Sequence, residues 1–85
     1  MKKGKRKIKA PQPTVKIDLH GFTVQDAFNY CADELYFCEI NGHKLVEVVT
    51  GKSGQIRKEF PIWLDTWGYT GIVAPHNGSF TVHLK

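Results

Sequence analysis

Two short stretches of the chain carry side chains able to act on a phosphate ester. In KIDLHGFT, residues 16–23, Asp18 and His20 stand two positions apart at the end of an apolar–polar alternation. On an extended backbone that spacing puts both on one side. An imidazole titrates near neutral pH, so it can give a proton to a leaving oxygen or take one from an attacking group. A carboxylate beside it can orient the ring or hold a cation that neutralises developing charge. In VVTGKSGQIRKEF, residues 48–60, a β-branched run passes through Gly51 and Gly54 into a helix start. Such a turn aims unpaired backbone N–H groups and the positive end of a helix dipole at one spot, and an anion is the natural occupant. Asp18 and His20 are therefore the candidate catalytic residues. Gly21, Thr50, Gly51, Lys52, Ser53, Gly54 and Arg57 are the candidate phosphate contacts, with His76 of the closing loop as a further one. The GKS at 51–53 is not a nucleotide-binding loop, because that motif needs a glycine where Val46 stands.

The elements that must position these residues follow from periodicity. Val15, Ile17 and Leu19 alternate with Lys16, Asp18 and His20, which predicts a strand with one buried face, ended by Gly21. Thr23 is the expected N-cap of a first helix, with Asp26 in its first turn. Val24, Phe28, Cys31, Leu35 and Cys38 form its inner face, and NGH at 41–43 stops it. KLVEVVT, 44–50, predicts an interior strand buried on both faces. A second helix follows with Ile56, Phe60, Leu64 and Trp67 inside, and Pro61 must kink it or lie in its first turn. TGIVAP and SFTVHLK read as closing strands joined at HNG, with Phe80, Val82 and Leu84 inward. The expected fold is α+β, a two-layer βαβαββ sandwich: a four-stranded mixed sheet with two helices on one face. The first two strands both feed helices, so their loops share the carboxyl-end edge where open α/β sheets place ligands.

At 85 residues the chain is bounded to one domain, expected over 14–85 behind a basic tail at 1–13. The net charge of +4 is unevenly placed. Seven of the twelve Lys and Arg residues fall in the first 16 positions with no acid among them, leaving five against eight acids, a balance of −3. A polybasic arm grips phosphate backbones without regard to sequence, and its hold weakens with salt. No apolar run is long enough to span a bilayer and no apolar h-region follows the basic N-terminus, so a cytoplasmic protein without membrane contact is expected. Cys31 and Cys38, seven apart on a helix, lie ~10 Å apart, too far for a disulfide, and are expected as buried thiols. Trp63 and Trp67 read as packing residues, His43 as part of a helix-ending turn and His83 as a solvent-facing strand residue. The histidines and acids lack zinc-site spacing.

IDLHG at 17–21, VVTGKSG at 48–54, PIWL at 61–64 and the closing AP…NGSFTVHL together resemble the Smr (small MutS-related) domain family, over roughly residues 15–84. The resemblance implies a βαβαββ sandwich and a small nuclease that nicks or cleaves phosphodiester bonds in DNA or RNA, including structured or branched forms. It implies that Asp18 and His20 match a catalytic D-x-H motif and that Thr50, Gly51 and Gly54 match a substrate-side glycine motif. Magnesium or manganese is the cofactor to test, with Asp18 as its ligand. The alternative is a nucleic-acid-binding module or adaptor of the same fold without turnover. Two departures stand out: Ser53 lengthens the glycine loop, and Phe80 replaces a small residue where it could narrow the groove or stack on a base.

Overall fold

Side-chain alternation and two amphipathic stripes generate the architecture. The structure, a computed structural model, describes residues 15–73 and 78–84. The basic tail, the proposed boundary at 13–14 and His76 therefore lie outside the described residues. The elements run β1 (Val15–Asp18), α1 (Val24–Ile40), β2 (Leu45–Val49), α2 (Gln55–Trp67), β3 (Thr70–Val73) and β4 (Ser79–His83). They form one four-stranded sheet in the order β1-β2-β4-β3. β1 and β2 are parallel, with Ile17 opposite Val48, while β4 is antiparallel to both β2 and β3. Both helices cover one face, as expected of α+β layering.

The register explains the core. Ile17, Val48 and Phe80 form one cross-strand row on the helix-facing side, and Val46 and Val82 belong to the next. All five are at most 3% exposed. Ala27, Cys31, Leu35 and Cys38 of α1 and Phe60, Trp63 and Leu64 of α2 close over them. Phe28 joins the helices, its ring lying 5.3 Å from Trp63 and 5.1 Å from Trp67. Gly71 leaves room for the Leu64 side chain, whose Cδ1 a Cβ at that position would overlap.

One expectation needs correction. β2 is interior in the sheet but not buried on both faces: Leu45, Glu47 and Val49 are only half-buried, because no helix covers that side. The β-branched run marked a central strand, and Glu47 in its middle was the sign of a wetter second face. Pro61 lies mid-helix in α2 instead of in its first turn. It is exposed and leaves the Arg57 carbonyl without its usual donor, a cost that packing of Phe60, Trp63 and Leu64 offsets.

The helix ends match the sequence reading. Thr23 Oγ1 accepts from the Asp26 N–H at 3.1 Å, and α1 stops at Asn41 and Gly42, the latter at φ +85°. Cys31 and Cys38 are free buried thiols. Burial pushes Cys31 up from the ordinary thiol value of 9.0 to about 12, with Glu34 and Cys38 adding to it.

Candidate phosphate-binding groove

Parallel β1 and β2 end at one edge of the sheet, and each chain exit there is built by local hydrogen bonding. At the first, Leu19 N–H donates to Val49 O at 2.9 Å, extending the pairing one residue beyond β1. The chain then turns: Asp18 Oδ1 accepts the backbone N–H of His20 at 2.9 Å, Phe22 N–H reaches Leu19 O at 3.2 Å, and Gly21 takes φ +85°. An aspartate engaging the backbone two residues on is an Asx-type turn. It fixes the exposed His20 at the lip of a groove.

At the second exit, the N–H groups of Thr50 and Gly51 both donate to the Gly78 carbonyl, at 3.1 and 3.0 Å. Buried Thr50 also donates its hydroxyl to Gly51 O. Gly51 at φ +88° and Gly54 at φ +100° then swing the chain into α2. Gly54 caps that helix with no side-chain bond, and the first helical bond runs from Lys58 N–H to Gly54 O. The N–H groups of Gln55, Ile56 and Arg57 are left without intrahelical acceptors, facing a site that favours anions.

The two exits bound one open groove of about 490 Å³, lined by residues 19–24 and 50–56. Both helices begin at it, because both follow parallel strands, so two positive dipole ends converge there. His20, Gly21, Thr50, Gly51, Lys52, Ser53 and Gly54 all line it, and the structure brings these predicted site residues together.

Their roles differ from the sequence reading in four respects. Asp18 does not line the groove, and its carboxylate meets the backbone of His20, not the ring. The Thr50 and Gly51 amides serve the loop's own fold, which moves the available donors to the start of α2. Arg57 also lies off the groove lining; its guanidinium sits 4.8 Å above the Phe80 ring centroid. Phe80 itself is 2% exposed and packs 4.9 Å from Phe60, so it neither narrows the groove nor offers a face to a base. Sequence reasoning passed over Phe22, which lines the groove, and Gly78, whose carbonyl organises the glycine loop. Phe22 stands outside the strand alternation and the helical stripe, so no periodic pattern marked it.

Among the described residues no group of three His, Cys, Asp or Glu side chains stands together as a metal cluster. Asp18 Oδ2 is the one carboxylate oxygen of the D-x-H pair outside the turn's hydrogen bond. Such a donor suits a magnesium-type ion that takes most of its remaining ligands from water and substrate phosphate.

A two-layer α+β domain with two strand–turn–helix exits around one groove defines the structural class. The Smr domain family profile matches residues 17–81, most of the chain, and the chain belongs to that family. Two solved structures are similar in fold. A crystal structure of the human small-MutS related domain superposes with a TM-score of 0.72 at 21% identity, covering 81% of this chain and 99% of that one. The solution structure of the B3BP Smr domain gives 0.66 at 22% identity, covering 86% and 80%. No curated protein sequence matches the chain.

Proposed function

We propose that this Smr domain binds nucleic acid by its phosphates in the groove and cleaves a phosphodiester bond with His20 as the acid/base group. The observation that carries the reading is the placement of His20 on the lip of a groove into which two helix N-termini open. A phosphate in the groove accepts hydrogen bonds from the Gln55 and Ile56 amides and faces the Lys52 ammonium. The His20 imidazole then takes the proton of the attacking water or supplies one to the leaving oxygen. Asp18 acts as a positioning residue through the His20 backbone. A magnesium or manganese ion, when bound, supplies charge neutralisation on the phosphate, with Asp18 as its protein ligand. The lysine-rich residues 2–16 add sequence-independent, salt-sensitive affinity.

A second reading keeps the binding and drops the chemistry. It is favoured by the Asp18 contact, which leaves the imidazole without a carboxylate partner among the described residues. The test is cleavage and binding measured in parallel on His20→Ala. The nuclease reading expects binding retained and cleavage lost. A wild type that binds without ever cleaving leaves the module.

A further inference from the structure

The groove has an aromatic lip that the phosphate reading does not use. Phe22 lies one residue beyond Gly21 in the turn that carries His20, and it lines the same groove. Its ring is paired with Tyr30 of α1, centroids 5.0 Å apart and planes inclined at 38°. Phe22 is 36% exposed and Tyr30 41%, and neither belongs to the core or to the residues packed against it. Single exposed aromatics are ordinary on a protein surface. A paired one beside an uncapped helix N-terminus, with Lys52 across the groove, is the combination that seats a nucleotide: charge and amides for the phosphate, a flat face for the base. Phe80, which the sequence offered for stacking, is buried, as is Trp63, and Trp67 packs against the core.

We infer that Phe22, backed by Tyr30, is a stacking seat for an unpaired nucleobase adjoining the phosphate in the groove. The substrate class is then nucleic acid that is single-stranded next to the bond acted on, because a base held in a duplex has no free face to offer. This rests on the nucleic-acid reading above and narrows it.

The experiment uses the full chain and a short oligonucleotide carrying one fluorescent adenine analogue, offered as a single strand and as a duplex of the same sequence. Wild type is expected to prefer the single strand and to quench the analogue by stacking. Phe22→Ala should lose the quenching and weaken single-strand affinity roughly 5- to 150-fold, the range of one base–aromatic stack, with duplex affinity unchanged. Phe22→Tyr should restore both. The salt dependence of binding should stay the same in Phe22→Ala, since no phosphate contact is removed. Lys52→Ala, by contrast, should weaken both forms and flatten that dependence.

If Phe22→Ala binds and quenches like wild type while Lys52→Ala weakens binding, the stacking seat is wrong and the phosphate reading stands. If wild type binds neither form, both fall. Asp26, Asp33 and Glu34 lie along the same helix as Tyr30. Selective capture of a lysine-rich peptide that Phe22→Ala abolishes, without oligonucleotide binding, would overturn the seat in favour of a protein partner.

Discussion

Gly54 is where the loop geometry is most exposed to test. It caps α2 at φ +100° and ψ 177°, a region that only glycine occupies readily, and a Cβ built there meets nothing within 4 Å. Gly54→Ala therefore introduces no clash, and backbone strain is the main cost, about 1–3 kcal/mol. Alanine is also a poorer cap than glycine, which adds to the loss. For a domain of this size each kcal/mol lowers the melting temperature by roughly 4–8 °C, so a fall of roughly 4–24 °C is expected. Gly42→Ala is the control. It also holds a positive φ, +85°, with open space around it, but it lies at the C-terminal end of α1, away from the groove lining. Both variants should melt early, whereas only Gly54→Ala should also lose nucleic-acid affinity, because relief of its strain turns the Gln55 and Ile56 amides. Thermal melts by circular dichroism and oligonucleotide titrations read the two effects. A Gly54→Ala protein that melts like wild type refutes the strained cap, and one that melts early but binds normally refutes its role in presenting the amides.

Asp18→Asn keeps an oxygen to accept the His20 N–H but loses the anionic cation ligand, so cleavage without added metal should largely survive in it and fall in Asp18→Ala; loss in both without metal at unchanged melting temperature would refute the positioning role. Alkaline pH should destabilise the fold. Burial raises Cys31 from 9.0 to about 12, and burial together with the Glu39 hydrogen bond raises Tyr69 from 10.0 to about 12. The unfolded chain loses those protons first, so stability is full below about pH 9 and declines towards pH 12, with Cys31 accounting for at most about 4 kcal/mol. Denaturation midpoints measured against pH should show this slope, and Cys31→Ala should flatten it; equal slopes in the two proteins would dismiss the thiol as its source. Gly71→Ala requires only the Leu64 Cδ1 end to turn aside, the next atoms standing 3.7 Å or more away, and should cost no more than about 0.5–1.5 kcal/mol in a chemical melt; a larger loss would mean that the backbone of α2 is displaced.

The fold was largely legible because alternation and helical stripes report burial directly. Val15, Ile17 and Leu19 on one side and Cys31, Leu35 and Cys38 on the other fix which faces meet. What escaped was information carried by partners distant in sequence. That the Thr50 and Gly51 amides are consumed depends on Gly78, which β4 delivers to the glycine loop. The withdrawal of Arg57 from the groove depends on Phe80, likewise from β4. The convergence of His20 with the glycine loop was readable, because two strands that each feed a helix share a sheet edge when they run parallel. That Asp18 addresses a backbone N–H instead of an imidazole was not, since D-x-H spacing permits either geometry.

The most direct test of the account is cleavage of supercoiled DNA and of a structured RNA, with and without magnesium or manganese, by wild type beside His20→Ala, with binding measured on the same samples. The account predicts that wild type cuts at least one substrate and that His20→Ala binds it as tightly without cutting. Cleavage undiminished in His20→Ala would contradict the acid/base role. Tight, salt-sensitive binding with no cleavage by wild type under any condition would contradict the nuclease itself.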